Sequence, residues 1–323
     1  MNDRREQLRW MIGQRAELLR ELRVWFDGRG FCEVQPACLS RECIIDVHID
    51  PIPVHGDQLR LSDSVPDRYF LQTSPEAAMK RLLAEGAPSI YSLGPTFRGG
   101  ERGAEHNIEF TMLEWYELSA GIDEEVQRLG QLACDILGRE GFDERNYRTL
   151  FQEHLGFDPI HGELKHLAEC VAQFDEGLAT SLGSDRDGLL ETLWSQSIQP
   201  KLGIGRPIVV RNYPLSQAAL ARVADDDTEC AARFELFVDG VELANGYHEL
   251  GDAEILRERF EDANRQREQI GKETLPLPEQ FLRAMEIGLP PCSGVALGVD
   301  RLLMVRTGRD SIADVLPYPI EFA

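Results

Sequence analysis

Between Thr96 and Tyr116 the chain reads TFRGGERGAEHNIEFTMLEWY, an arginine, a glycine-bearing loop and a histidine followed by aromatic and acidic residues. Successive side chains of a strand point to opposite faces. Phe110, Met112, Glu114 and Tyr116 therefore share one face, and Thr111, Leu113 and Trp115 the other. The second face suits burial against helices. The first carries an aromatic ring, a carboxylate and a phenol, groups that suit the floor of a pocket. Further on, Phe234 to Leu250 reads FELFVDGVELANGYHEL. Asp239-Gly240 between apolar runs signals a two-residue hairpin. That turn sets Glu242 opposite Phe237 and puts Glu235 on the diagonal, roughly 7–8 Å away on the same face. Two such carboxylates repel unless a cation joins them, and Mg²⁺ takes one or two carboxylates together with nucleotide phosphates. Near the end, Ser293 to Arg301 reads SGVALGVDR and continues LLMV: a short strand, a glycine turn and a helix opening at Asp300. A helix start offers free N–H groups and a positive dipole end to phosphate, and Arg301 adds a full charge there.

The elements that must hold these groups follow from periodicity and punctuation. Residues 4–29 show helical spacing of Leu8, Met11, Ile12, Leu18, Leu19, Leu22, Trp25 and Phe26, ended by Gly28 and Gly30. A strand is expected from Phe31 to the stop at Pro36, another over residues 68–73, and a helix over 76–85. Residues 122–205 read as mainly helical, and 207–212 as a buried strand. Two helices follow, 252–270 ended by Gly271 and 278–287 ended by Gly288; glycine suits the residue after a helix. The expected fold class is α+β.

The formal charge of −22 counts against a grip on a nucleic-acid backbone, which draws most of its affinity from basic residues. No run approaches the roughly 20 apolar residues of a membrane span, and the charged start MNDRREQLRW gives no expectation of a signal peptide. Seven scattered cysteines without a CxxC pair suit reduced thiols of the cytoplasm, not a disulfide frame or a zinc site. His166 and Cys170 share a helical face but have no partners in sequence, and read as structural or surface residues.

The Thr96–Tyr116 stretch resembles motif 2 of the class II aminoacyl-tRNA synthetases in the form of the lysyl branch, and SGVALGVDR resembles motif 3. Residues 4–36 are similar to motif 1, which implies a homodimer. The resemblance implies one catalytic domain over residues 1–323. Motif 2 then lies at about 90–118, a helical insertion at about 122–205 and motif 3 at about 293–307, with a largely antiparallel sheet flanked by helices. It implies ATP held by Arg98, Gly99, Gly100, Glu101, His106, Asn107, Phe110, Glu242, Leu243, Gly298 and Arg301. Arg98 would meet the α-phosphate, Phe110 would stack on adenine, and Arg301 would take the far phosphate. Glu235 and Glu242 match metal-binding glutamates, implying Mg²⁺. The usual glutamate after Phe-Arg-x is here Gly100, with Glu101 next to it, and Ala104 lacks the basic residue common in that loop. No anticodon-binding domain is expected, because few residues precede motif 1 and few follow motif 3.

The same resemblance assigns Ser74, Glu76, Glu114, Tyr116, Asn245, Glu249 and Ala296 to the substrate. An ammonium offers three donors and no acceptor, so carboxylates and a phenol oxygen suit it, and a diamino acid resembling lysine is expected. Ala296 stands where lysyl enzymes usually have glycine, and its methyl would crowd an α-amine and favour one displaced by a carbon. Within the branch the likeness is to paralogues without an anticodon domain. It implies activation of (R)-β-lysine as its adenylate and transfer to a lysine of elongation factor P, with tRNA unlikely and no membrane partner. The alternatives are a minimal synthetase acting on tRNA or a free amine, and a non-catalytic regulatory paralogue.

Overall fold

A computed structural model describes residues 2–59 and 67–323. The chain divides into two compact units, Met1–Ala120 with Glu249–Ala323, and Gly121–His248.

The first unit opens with helix α1 (Asn2–Asp27) and strands β1 (Cys32–Glu33), β2 (Leu39–Ser40), β3 (Ile52–His55) and β4 (Arg68–Leu71). Helix α2 (Glu76–Ala84) and the long strands β5 (Ile90–Phe97) and β6 (Glu109–Leu118) follow. The second unit holds helices α3 (Ile122–Leu137), α4 (Tyr147–Leu155), α5 (Leu164–Ala172), α6 (Glu176–Leu182) and α7 (Arg186–Leu193). Its strands are β7 (Asp143–Asn146), β8 (Ile208–Pro214), β9 (Cys230–Val238) and β10 (Val241–His248). The chain then returns to the first unit with α8 (Ala253–Gln269), α9 (Glu279–Ile287), β11 (Cys292–Gly298) and α10 (Val299–Arg306). The fold is α+β, as expected.

In the first unit β1 runs parallel to β5, β5 antiparallel to β6, and β6 antiparallel to β11. A separate small sheet has the order β2-β4-β3. The expected strand from Phe31 to Pro36 is only two residues long, pairing Cys32 with Ile90 and Glu33 with Tyr91. In β6 the expected alternation holds. Trp115 is fully buried and packs 5.1 Å from Phe26 of α1, which itself stacks on Tyr91. Thr111 lies on this helix-covered side, where its hydroxyl accepts from Arg15. Asp300 is buried at the start of α10; it accepts from the Thr111 backbone N–H at 2.7 Å and pairs with Arg15 of α1. One carboxylate thus ties α1, β6 and α10 together.

In the second unit β10 pairs antiparallel with β9 and β9 with β8, while β7 lies parallel to β8. The 122–205 region is helical apart from β7, a strand that DERN, with no apolar residue, does not announce. An aromatic cluster of Tyr147, Phe151, Trp194, Tyr213 and Phe237 closes these helices over β8 and β9. Asp239 and Gly240 both have positive φ, 51° and 83°, so the expected two-residue turn is of the type that matches strand twist.

Asp300→Ala strips Arg15 and the Thr111 N–H of their shared partner. It should lower stability by about 3–5 kcal/mol, the usual penalty for breaking a buried ion pair from one side. Chemical denaturation of wild type and variant checks this.

Candidate active site

β6 presents the expected front face, and the strands beside it leave that face open. Tyr116 is flanked by Ile90 and Gly294, Glu114 by Ser92 and Ala296, and Met112 by Gly94 and Gly298. Cross-strand partners share a face, so every β11 neighbour of these three side chains is small. Gly294 has to be: a Cβ there would fall 2.3 Å from the Tyr116 ring and 2.5 Å from a Glu249 oxygen. Ala296 lies opposite Glu114, so its methyl narrows the space beside that carboxylate.

Around Tyr116 the first unit gathers Ser74, Glu76, Glu114 and Glu249, all expected there, and Lys80, which was not. Ser74 donates to Glu114 Oε2 at 2.5 Å and accepts from the Glu76 N–H, so it joins the start of α2 to β6. Tyr116 donates to Glu114 Oε1 at 2.7 Å. Lys80, with no exposed surface, donates to Glu76 Oε1 at 2.5 Å. Its Nζ also lies 2.5 Å from Glu249 Oε2, an ion pair that misses hydrogen-bond alignment, and 5.8 Å from the Tyr116 ring centre.

Burial and the nearby Glu76 raise Glu114 to about 7. Burial raises Glu249 to about 8, with Lys80 opposing and Glu76 adding to the shift. Lys80 loses solvation too, but Glu249 and Glu76 outweigh that and hold it firmly protonated. The cluster is a buried acidic pocket with one resident cation. Sequence spacing carried a signal for Lys80, the Glu76–Lys80 i,i+4 pair. Such pairs usually lie on solvated helix surfaces, and only packing of α2 through Met79 and Leu83 against Ile90 and Tyr116 turns this one inward.

Along β6 from the acidic pocket, Arg98 stacks over Phe110 with its guanidinium 5.1 Å from the ring centre, and donates to the Thr73 carbonyl. Glu101 faces Arg98 at 3.7 Å. Gly100 has φ +78°, a conformation that disfavours the glutamate usual at this position. Arg301, on the first turn of α10, donates to the Glu105 carbonyl at 3.1 Å and to His106 Nε2 at 2.6 Å. A guanidinium only donates, so His106 carries its proton on Nδ1. Asn107 is buried; it donates to the Glu109 carbonyl and accepts from the Ile320 N–H. Ile312 likewise donates to the Ala104 carbonyl. Two arginines and one aromatic ring thus line the loop between β5 and β6 and the start of α10, an arrangement suited to a polyphosphate and a base.

In the second unit Glu242 lies opposite Phe237, as expected. A bulge at Leu243 then shifts the register, so that Glu235 faces Asn245. Parity alone would send Glu242 and Asn245 to opposite faces; the extra residue puts both on the face of Glu235. Glu235 accepts from Tyr213 at 2.5 Å and from Arg233 at 2.5 Å. Burial raises it to about 7, with Arg233 opposing and Glu242 adding to the shift. Asn245 accepts from Arg233 and donates to Tyr247. Among the described residues no group of three or more His, Cys, Asp or Glu gathers as a metal site. Cys170 and His166 stand 3.8 Å apart at the surface.

The family model for tRNA synthetases class II (D, K and N) matches residues 1–321. The elongation factor P–(R)-β-lysine ligase of Salmonella paratyphi B is 38% identical over 316 residues, covering 96% of this chain and 95% of that protein. The ligases of the same name from Salmonella heidelberg and Salmonella enteritidis match to the same extent.

Glu114 and Glu249 are raised from an ordinary 4.5 to about 7 and about 8. In the folded state they hold protons that the unfolded chain has already released, so their contribution is full below about pH 4.5 and lost as pH rises through 7 and 8. Stability of the ligand-free protein should therefore decline between pH 5 and 8.5, and the double variant Glu114→Gln/Glu249→Gln should flatten that slope. Thermal unfolding across this range checks both.

Proposed function

The chain belongs to the class II tRNA synthetases (D, K and N), and on that premise we propose that it is an ATP-dependent, AMP-forming ligase. It joins (R)-β-lysine to a lysine side chain of elongation factor P. The observation that carries this reading is the buried pocket of Glu76, Glu114, Tyr116 and Glu249 at one end of β6, whose other end bears Phe110 with Arg98 stacked over its ring. Carboxylates that have lost water and repel one another gain most from an ammonium. The printed names of the 38% identical relatives support β-lysine and elongation factor P as substrates. The crowding of Ala296 against Glu114 supports a displaced amine.

The carboxylate of such a substrate is ionised at neutral pH and attacks the α-phosphorus without a general base. Catalysis is then positioning and charge neutralisation. Arg98 would meet the α-phosphate, and Phe110 would stack on the base. Arg301, oriented by Glu105 and His106, takes the leaving pyrophosphate. Gly99, Gly100, Glu101, Asn107 and Gly298 would complete the nucleotide contacts of the first unit; Glu242 and Leu243 are assigned to the nucleotide by the family resemblance. Glu235 and Glu242 are the residues that would hold Mg²⁺, which supplies further neutralisation of phosphate charge. In the second step the acceptor amine attacks the mixed anhydride and AMP leaves.

Two further parts of the reading concern context. α1 exposes Ile12 and Val24, apolar residues that support a homodimer through the motif 1 helix. Seven free cysteines support a reducing, cytoplasmic setting, and among the described residues no helix is long and apolar enough to cross a membrane.

Pyrophosphate exchange should be strong with (R)-β-lysine and weaker with lysine or ornithine. Arg98→Ala should lower kcat/KM by about 10²–10³, the usual effect of losing one transition-state charge contact. Equal exchange with all three amino acids would overturn the amine pocket. Incubation with ATP, β-lysine and elongation factor P should add one β-lysyl mass to the factor, and aminoacylation of bulk tRNA in its place would favour the minimal-synthetase alternative. Sedimentation should return twice the chain mass, and Ile12→Asp/Val24→Asp should halve it.

A further inference from the structure

We propose that Lys80 is a specificity-positioning residue. It sets the charge deficit of the acidic pocket at two, and so selects a substrate with two ammonium groups over one with a single ammonium. The inference rests on the diamino-acid activation proposed above.

Three carboxylates, Glu76, Glu114 and Glu249, face one another around the phenol of Tyr116. Lys80 Nζ lies 2.5 Å from one oxygen of Glu76 and 2.5 Å from one of Glu249. Glu114 accepts one hydrogen bond at each oxygen, from Ser74 and from Tyr116, and each carboxylate oxygen has a second lone pair to offer an ammonium. Once bound ammoniums have displaced the protons of Glu114 and Glu249, three negative charges less that of Lys80 leave two. A diamino acid brings two ammoniums to the pocket and keeps its carboxylate for the nucleotide.

Helix stability does not explain the lysine. An i,i+4 pair adds only about 0.2–0.5 kcal/mol to an exposed helix, whereas burying an ammonium is expensive, and an apolar side chain of similar volume often serves stability as well or better. Lys80 is fully buried at the contact of α2 with the sheet, beside Met79 and Leu83. What its charge does there is hold Glu76 and Glu249 to one shared partner and oppose the upward shift that burial and Glu76 impose on Glu249. Without it Glu114 and Glu249 would both keep their protons to higher pH, and each bound proton removes an acceptor that an amine needs. A merely acidic pocket would then bind one ammonium or two with little discrimination.

The test is pyrophosphate exchange by the full-length protein from pH 6 to 9.5, with (R)-β-lysine and with its analogue lacking the terminal amine. In wild type KM for β-lysine should fall with rising pH and level off above about 8, where Glu249 is ionised. In Lys80→Met the levelling point should move up by about one pH unit or more. Selectivity for the diamine at pH 7.5 should drop about tenfold, the equivalent of one pKa unit. kcat should change by less than about threefold, because the phosphate end is untouched. Lys80→Arg, which keeps the charge, should restore both profile and selectivity.

A wild-type-like profile and selectivity in Lys80→Met would overturn the proposal while leaving the activation reading intact. Absence of exchange by wild type with any diamino acid would overturn the activation reading itself. A second measurement avoids any dependence on the variant's folding. The chain has four lysines, Lys80, Lys165, Lys201 and Lys272, so side-chain resonances of lysine-labelled wild-type protein are assignable. Adding β-lysine should move the Lys80 signals and leave Lys165 and Lys201 in place. Unmoved Lys80 signals under saturating β-lysine would also overturn the proposal.

Discussion

An ionised carboxylate taken out of water is costly unless a cation or several donors meet it, and the first unit buries Glu114 and Glu249 within reach of Glu76. Much of the surrounding structure answers to that constraint. Ser74 and Tyr116 each donate to Glu114, Lys80 stands between Glu76 and Glu249, and Gly294 clears the space in which Tyr116 and Glu249 approach. Even so, the two buried acids remain well above their ordinary range. The ligand-free pocket is therefore held in an electrostatically unfavourable state, which, on the reading proposed above, a substrate ammonium would relieve. On that reading, stability withheld from the free protein would become affinity for the amine.

The same strand carries Phe110 at the end proposed for the nucleotide, and a different device fixes it. Asp300 ties the start of α10 to the backbone of β6 and to Arg15 of α1. Arg301 is therefore fixed relative to Phe110 through one residue of helix and one hydrogen bond to the strand. The motif 2 loop is held from both sides, by Arg301 on Glu105 and His106, and by backbone donors of Ile312 and Ile320 on Ala104 and Asn107. Preorganisation of this kind is what a reaction without a general base requires, since position and charge are all the protein supplies.

Much of the candidate site was legible in the residues because strand alternation is a strict rule. Two-residue spacing alone put Glu114 and Tyr116 on one face and Trp115 on the other, and Asp239-Gly240 fixed the hairpin turn and the Glu242–Phe237 pairing. The roles in ATP and amine binding came from likeness to the lysyl branch. What escaped were features whose signal is not local. Strand β7 has no apolar residue and exists because β8 offers it an edge. The bulge at Leu243 shifts Asn245 to the face of Glu235, which no count of residues along β10 foretells. The motif 1 strand ends after two residues.

The sequence by itself determined which side chains share a face, where the turns and helix ends fall, and which charged groups the chain has available for phosphate, cation and amine. These follow from covalent geometry and short-range sterics, which act over a few residues. Only the tertiary structure decided which of those charges lose their water. Lys80 and Glu76 form a pair that on most helices would be solvated and weak. Packing of α2 on the sheet makes Lys80 the one ammonium buried among three acids, because desolvation depends on everything that surrounds a group rather than on its neighbours in the chain.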